Sequence, residues 1–529
     1  MADDGTPFGD RASRGVGGPT PEELASFDLN DFGNAMRLIR LVGGEVDEDG
    51  EIGLEAATLL FLREIGWIGW NGRHWDLKMG QRLAERTAHR VAQGLVAQIA
   101  FLKERCNAKE ISEFVKSSGN AGRVSAMLKV AEAYLQVDLE DFDKDPLAVT
   151  VRNGTLRFVR EIGAGLTVDF RRHDPRDRIT RMMRVDYVPK AAAPVWEEKV
   201  RFWQPDPAMA GYLQRLAGYG LTGHTFEQIF VIFQGKGRDG KSTFMNVLRE
   251  LFGDYGDVAD VRTFLDTGMR AGGEASPDLA RLAGDCRFLS VAEPPRGAKL
   301  NEAMIKSFTG GAPIVARRLR QDLFSFTPKP KVFMEANSRP VIRGDDEGIW
   351  RRIRLVLWEH QLTKAEVDPG LPAKLMAEAS GILNWVIQGV GDWLAEGLAE
   401  PERVAAAMDD YRKGSSPFGE WFVECVELAE GEKTRASWFY NSYKEWAEAQ
   451  GIEKPMTQRS FGDALADRQV IRCGKDAAGN VLRMGARLRP RGTQLEEGSA
   501  GGGVTAAAVH DLEPGALDLP EDGAPEDGH

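Results

Sequence analysis

The sequence predicts an α/β fold at the centre of the chain, with a mixed α+β region before it and a small winged-helix-like domain after it. Three observations carry the expectation. Residues 205–400 alternate helical and strand-like stretches, the α/β pattern. Within them an apolar run, 228–233, leads through a glycine-rich loop into a helix, 241–251. Further on, 416–488 reads as three helices followed by two strands, a winged-helix order.

Residues 1–27 and 491–529 are rich in Gly, Asp, Pro or Ala with little apolar periodicity, and both are expected as disordered tails. A helical or mixed N-terminal domain is expected over 28–200. In it, 65–75 alternates aromatic, Gly and polar residues as a β-hairpin does, with Asn71-Gly72 as its turn. Residues 82–103 have helical apolar spacing, and 149–158 is a second hairpin turning at Asn153-Gly154. The stretch 171–184 holds six Arg interrupted by Asp174 and Asp177, and reads equally as a self-paired surface or a nucleic-acid contact. In the central region, 201–400, a helix at 209–219 precedes the strand 228–233. Buried strands follow at 286–292 and 331–336, with a fourth candidate at 352–358. The last domain is expected as helices 418–428, 438–449 and 459–467, then strands 470–473 and 481–484 around a loop containing Gly474, Lys475, Gly479 and Asn480. The aromatic residues of 438–446 stand at helical spacing, as core residues do.

The 529 residues, 42% hydrophobic and 28% charged, suffice for several domains with sizeable cores. No stretch approaches the roughly 18–20 consecutive apolar residues of a membrane span, and the first ten residues lack a secretory pattern. Cys106, Cys286, Cys425 and Cys473 are spaced neither as a zinc ribbon nor as a disulfide scaffold. A cytoplasmic protein without a membrane partner is the expectation. A net charge of -12 argues against nucleic acid when taken whole. The acidity sits in the tails, however: residues 1–31 carry -5 and 491–529 carry -8, leaving 32–490 at +1.

The strongest local signal is Gly235-Lys236-Gly237-Arg238-Asp239-Gly240-Lys241-Ser242, followed by Thr243. It matches G-x-x-x-x-G-K-[ST] completely, between a strand and a helix as that motif requires. Glycines let backbone N–H groups curl around phosphates, and the helix N-terminus adds partial positive charge. Lys241 is expected on the β- and γ-phosphates of ATP, and Ser242 on Mg²⁺. Glu293 directly follows an apolar strand, where a carboxylate positions Mg²⁺ or polarises the attacking water; Ala292 stands where a second acid is usual. Asn337 ends another strand, placed to sense the γ-phosphate or simply to form a turn before Arg339-Pro340. Of Arg351 and Arg352, alternation along a strand allows at most one to enter a neighbouring subunit's site.

These residues, in this order, resemble superfamily 3 helicases, and specifically the C-terminal half of phage and plasmid primase–helicases, a family related to the poxvirus replicative NTPase. Asp31-Phe32-Gly33-Asn34-Ala35, Trp70-Asn71-Gly72-Arg73-His74-Trp75 and Val151-Arg152-Asn153-Gly154-Thr155-Leu156 are similar to its N-terminal region. Asn301-Glu302-Ala303-Met304-Ile305-Lys306, Thr309-Gly310-Gly311, Ala316-Arg317-Arg318-Leu319 and 348–354 are similar to its ATPase core. The resemblance implies an AAA+-like P-loop NTPase: Lys241 and Ser242 in Walker A, Glu293 in Walker B, Asn337 as sensor 1 and Arg352 as arginine finger. Asp239 departs from the pattern, standing where the family commonly has Asn. With only about thirty residues ahead of the match, the expectation is a helicase served by a separate primase.

The resemblance further implies an ATP-dependent DNA helicase of phage or plasmid replication in a bacterial host. It would work as a ring, expected to be a hexamer, on single-stranded DNA. Residues 310–331 read as a hairpin projecting into such a channel, with Lys306, Arg317, Arg318 and Arg320 as phosphate contacts. Arg459 and Lys475 are the corresponding candidates in the winged helix, for duplex origin DNA. The alternative is an ATP-switched DNA-binding initiator or loader without processive unwinding; a packaging motor is a third reading.

Overall fold

Five short strands form the central sheet of the first unit: β1 (Phe230–Gly235), β2 (Gly256–Ala259), β3 (Phe288–Val291), β4 (Lys331–Ala336) and β5 (Ile353–Trp358). They form one sheet in the order β2-β3-β4-β1-β5, and every pairing is parallel. Alternation along β1 sends Phe230 and Ile232 to one face and Val231 and Phe233 to the other, and all four are buried in two separate cores. Strands covered on both faces read as unbroken apolar runs, which is why β1, β3, β4 and β5 stand out in the sequence. Helix α1 (Lys241–Phe252) leaves β1 and leads to β2 at the far edge, while β4 and β5 flank β1. At such a reversal of strand order a crevice opens beyond the strand carboxyl ends.

The computed structural model describes residues 18–47, 51–161, 165–268, 277–317, 323–343, 346–452, 455–466, 472–475 and 481–489. The chain divides into two units, 1–420 and 421–529. In the first, both asparagine turns lie in hairpins. Leu59–Leu62, Gly66–Trp70 and Trp75–Asp76 pair antiparallel, the last two around Asn71-Gly72. Asn71 Oδ1 accepts from the N–H groups of Arg73 and His74 at 2.9 and 3.0 Å, and Gly72 takes the φ of +94° that the turn demands. Ala148–Val151 pairs with Gly154–Glu161. The helix expected at 82–103 runs from Gly80 to Leu102. One core joins Val149, Leu156 and Phe158 of the second hairpin to Phe233 and Phe244 of the central sheet and α1.

Three sequence expectations need correction. The expected tail 1–27 contains a helix, Pro21–Ala25: Thr20 and Glu23 form a capping box, Pro21 opens the first turn, and Leu24 and Ala25 are buried. Strand β2 was not expected; it pairs only with β3, and three of its four residues are at least partly exposed, so it lacks an apolar run. The helix expected over 418–428 ends at Cys425, and Val426–Arg435 is a strand. There Val426 and Leu428 face Leu488 and Ala486 across the ladder, a pairing with a segment some sixty residues away.

The second unit therefore runs helix (Pro417–Cys425, entering from the first), strand, helix (Ala436–Ala449), helix (Gln458–Ala466), then strands Arg472–Lys475 and Val481–Leu488. Its core is aromatic: Trp421, Phe439, Tyr443 and Phe461 are buried together. Trp446 is likewise buried, but Trp438 is 56% exposed and does not belong to that core.

Candidate functional site

The glycine loop takes its shape from three left-handed residues, Gly237 (φ +86°), Arg238 (φ +52°) and Gly240 (φ +87°). Gly240 is doubly constrained, since a Cβ there would sit 2.3 Å from Nε1 of the buried Trp203 ring. Asp239 turns inward and is buried. Its Oδ2 accepts from the Gly237 N–H at 3.2 Å and its Oδ1 from the Lys241 N–H at 3.3 Å, bracing the loop from within. Lys236, Arg238 and Ser242 are exposed, and Thr243 is half-buried.

Lys241, the first residue of α1, reaches back into the loop, and its ammonium has three acceptors: Asp239 Oδ2 at 2.8 Å, Asn337 Oδ1 at 3.1 Å and the Gly235 carbonyl at 3.4 Å. A lysine has three protons, so all are committed and an incoming phosphate has to displace one partner. Asn337 is the partner on the open side. Its Nδ2 donates to Glu293 Oε2 at 2.7 Å, and its backbone N–H donates to Glu293 Oε1 at 3.2 Å. Lys241, Asn337 and Glu293 thus form one hydrogen-bonded chain across the carboxyl ends of β1, β4 and β3.

One site residue escaped the sequence reading. Glu335, the penultimate residue of β4, accepts a short hydrogen bond from Ser242 Oγ. A lone carboxylate within the apolar strand Lys331–Ala336 was the available signal. Beside the loop, Phe202, Trp203, Thr243, Leu362, Val367 and Pro372 line much of a cavity of about 170 Å³.

Arg352, the expected finger, is turned toward its own chain. It is buried, its Nε donates to Thr309 Oγ1 at 3.1 Å, and its NH1 donates to the Gly348 carbonyl. Burial also lowers its pKa from the ordinary arginine value. The guanidinium is used to hold its own chain, whereas Arg351 next to it is exposed.

Among the nucleic-acid candidates, Lys306 lies on the helix Glu302–Thr309 and pairs with Asp346 at 2.5 Å. The expected hairpin is present as Ile314–Arg317 against Leu323–Phe326, with Arg317 on its exposed face opposite the buried Ile314 and Ala316. Arg318 and Arg320 lie outside the described residues. Arg459 and Lys475 are exposed on the helix Gln458–Ala466 and the strand Arg472–Lys475. In the arginine-rich stretch 171–184 two of the six arginines are paired within it, Arg171 with Asp177 and Arg176 with Asp174, while Arg178 donates to the Leu54 carbonyl at 2.9 Å.

Loop, acid and amide lie at one end of a parallel sheet in an α/β protein, beyond its strand carboxyl ends. Residues 52–205 match the family described as "D5 N terminal like". Over 262 residues the chain is 28% identical to "Putative helicase L207/L206" of Acanthamoeba polyphaga mimivirus, covering 46% of this chain and 27% of that protein. It is 27% identical over 173 residues to "Putative helicase 022R" of Frog virus 3 (isolate Goorha), covering 32% and 17%. The apo C-terminal region of NrS-1 aligns with a TM-score of 0.35 at 12% identity, over 57% of this chain and 77% of that one. Over part of its length the chain is thus similar to the family described as "D5 N terminal like" and to viral proteins named putative helicases. It spans about a quarter of the mimivirus relative's length and less of the Frog virus 3 one. Among the described residues no helix is long and apolar enough to cross a membrane.

Proposed function

We propose that the chain is an ATP-dependent DNA helicase of phage or plasmid replication, working as a ring in which each subunit completes the next one's site. The observation that carries this reading is the separation of the catalytic set along the sheet. Lys241, Asn337 and Glu293 cluster at the carboxyl ends of the strands, while Arg351 and Arg352 precede β5 at the opposite ends. In the ladder Ile353 pairs with Phe230 and Trp358 with Gly235. Five residues at about 3.3 Å each put the arginine pair roughly 17 Å from the loop. That exceeds an arginine's reach, so a guanidinium at the phosphates would come from a second copy; head-to-tail contacts of this kind form a ring where their rotation closes, and a hexamer is the ring we propose.

In this reading the loop N–H groups and Lys241 hold the β- and γ-phosphates once Asn337 releases the ammonium. Glu293 takes the proton of the attacking water, and Asn337 orients that water. Oxygen donors suit Mg²⁺, which keeps much of its own water and needs few protein ligands; Ser242 and Glu293 are the expected holders, and the ion offsets phosphate charge. The cavity beside Thr243, lined by Phe202, Trp203 and Leu362 together with Lys199, Glu366 and Asp368, is the candidate place for the adenine base. Exposed Arg351, rather than Arg352, is the finger the geometry favours. Arg317 in the hairpin, with Arg318 and Arg320, would track single-stranded DNA, and Lys306 would join them by exchanging Asp346 for a phosphate. The element order of the second unit supports a winged helix, with Arg459 and Lys475 toward duplex DNA.

The test is unwinding of 3′- and 5′-tailed forks and ATP hydrolysis by wild type, Lys241→Ala, Arg351→Ala and Arg352→Ala. Lys241→Ala should abolish both activities, and Arg351→Ala should lower turnover by about 10³-fold or more while sparing nucleotide binding. Mixing those two inactive variants should restore part of the hydrolysis, because each supplies what the other lacks. A mixture that stays inactive would sink the shared-site reading. Two observations keep the initiator or loader alternative in view: both Glu293 oxygens are taken by Asn337, and all three Lys241 protons are committed. ATP-dependent DNA binding without strand displacement would favour it.

A further inference from the structure

We propose that Glu335 is the second carboxylate of the metal–nucleotide site, replacing from β4 the acid that Ala292 cannot supply from β3. The proposal rests on the nucleotide-binding reading above.

In a phosphate-loop site the Ser or Thr after the lysine shares the cation with a carboxylate from the sheet. That carboxylate also accepts the hydroxyl proton, so that the oxygen lone pairs face the metal. Here the position before Glu293 is Ala292, which carries no donor atom. Glu293 is itself bound through both oxygens to Asn337. The acceptor that Ser242 Oγ finds is Glu335 Oε2. Strand order explains how it can. β3 is two strands from β1, whereas β4 is next to it, with Glu335 paired in register with Phe233 two residues before the loop begins. A glutamate on the neighbouring strand thus spans to the first turn of α1.

Position within the strand points the same way. Val332, Phe333, Met334 and Ala336 are buried apolar residues, and Glu335 is the one partly exposed member of that run. A carboxylate there gains nothing from the cores on either face of the sheet. It does gain from a hydroxyl at a helix N-terminus, and it would gain more from a divalent cation held against that hydroxyl. With Glu335 included, Ser242 and two glutamates from adjacent strands present an all-oxygen set.

The competing explanation is structural, with Glu335 merely capping α1. Mn²⁺ titration in the presence of ADP, followed by electron paramagnetic resonance on the full chain, separates the two. Glu335→Gln should weaken Mn²⁺ in the ADP complex about 10–100-fold, while ADP affinity in EDTA stays within a few-fold of wild type. Adding Ala292→Asp to Glu335→Gln should recover at least part of the lost Mn²⁺ affinity. Glu335→Asp, which keeps the charge but shortens the arm, should fall between wild type and Glu335→Gln, and serves should the Gln variant fold poorly. Glu335→Gln with Mn²⁺ affinity within twofold of wild type and only a lowered melting temperature would overturn the proposal. Lys241→Ala that still bound ADP as wild type does would instead overturn the nucleotide-binding reading, so the two failures are distinguishable.

Discussion

Asp239–Lys241 and Asp285–Arg287 are both acid-x-base pairs enclosed by protein. The first is 2.8 Å long with side chains 3% and 6% exposed, the second 2.7 Å with 0% and 1%. Their surroundings differ. Arg287 spends its remaining donors on the Leu221 and Pro146 carbonyls at 3.0 and 3.3 Å, and its guanidinium lies 4.8 Å from the Tyr255 ring centre. Asp285 also accepts from Lys329 at 3.2 Å. Every partner is part of the fold, and the pair ties the start of β3 to the segments around residues 146 and 221. Lys241 shares one proton with Asn337, at the open side of the site. A buried ion pair can therefore serve as a clamp or as a poised cation, depending on whether one of its hydrogen bonds can be exchanged for a ligand.

Truncating each base should break the comparison most visibly. Arg287→Ala leaves Asp285 with Lys329 alone in a closed space and takes the donor from the Leu221 carbonyl, so the first unit should lose about 3–5 kcal/mol in urea unfolding. Lys241→Ala leaves Asp239 with two backbone N–H donors, and the loss should be nearer ~1 kcal/mol. The same variant should lose the stabilisation that nucleotide gives wild type, about 2.7 kcal/mol at a hundredfold excess over Kd. A Lys241→Ala protein as unstable as Arg287→Ala would mean that both pairs are clamps.

Replacing each acid by its amide sharpens the contrast. Asp285→Asn leaves Arg287 and Lys329 without a counter-charge on that carboxylate and should cost about 3 kcal/mol. Asp239→Asn keeps an acceptor for the loop and removes a negative charge beside the expected phosphates. Its stability should move by no more than about 1 kcal/mol, while nucleotide binds several-fold more tightly. Calorimetric melting with fluorescent-nucleotide titration checks both. Weaker nucleotide binding by Asp239→Asn would show that Lys241 needs the carboxylate to hold its position.

The two pairs also mark what a sequence can disclose. Asp239–Lys241 sits in a motif whose spacing encodes its own geometry, because six residues suffice to curl a loop around an anion. Asn71-Gly72 and Asn153-Gly154 are legible for the same reason: the turn chemistry is local. Asp285-x-Arg287 has the same spacing with no such frame, since its partners come from Pro146 and Leu221. Glu335 is visible as a charge in an apolar strand, but its partner Ser242 is 93 residues away. Strand β2 and the strand Val426–Arg435 are edge or partner-defined segments, so their own composition signals little. Arg352 shows the same limit from the other side: its neighbours in sequence suggested an outward finger, and Thr309 and Gly348 turn it inward.

A pH-dependent effect belongs to Asp143, which the Asp285–Arg287 cluster perturbs from a distance. Its carboxyl is enclosed, accepting from the Thr180 N–H at 2.9 Å and from the Thr180 hydroxyl at 2.5 Å. Burial first, and the Asp285 charge second, push its pKa up to about 6 from 3.8. Between roughly pH 4 and 6 the folded protein therefore holds a proton that the unfolded chain has released, and the stability this contributes is lost as pH rises through about 6. Asp143→Asn removes the titration while its amide can still accept from the Thr180 N–H and donate to the hydroxyl oxygen. Relative to wild type, the variant should gain about 2 kcal/mol between pH 4.5 and pH 7.5, as a pKa raised from 3.8 to about 6 requires. Reading the difference between the two proteins at each pH cancels the other titrating groups. A difference that stays flat over this range would mean that Asp143 is charged throughout, and that Lys329 and Thr180 outweigh burial and Asp285. Repeating the series in Arg287→Met, where Asp285 loses its main counter-charge, should move the midpoint higher, because the Asp285 charge then bears on Asp143 with less relief.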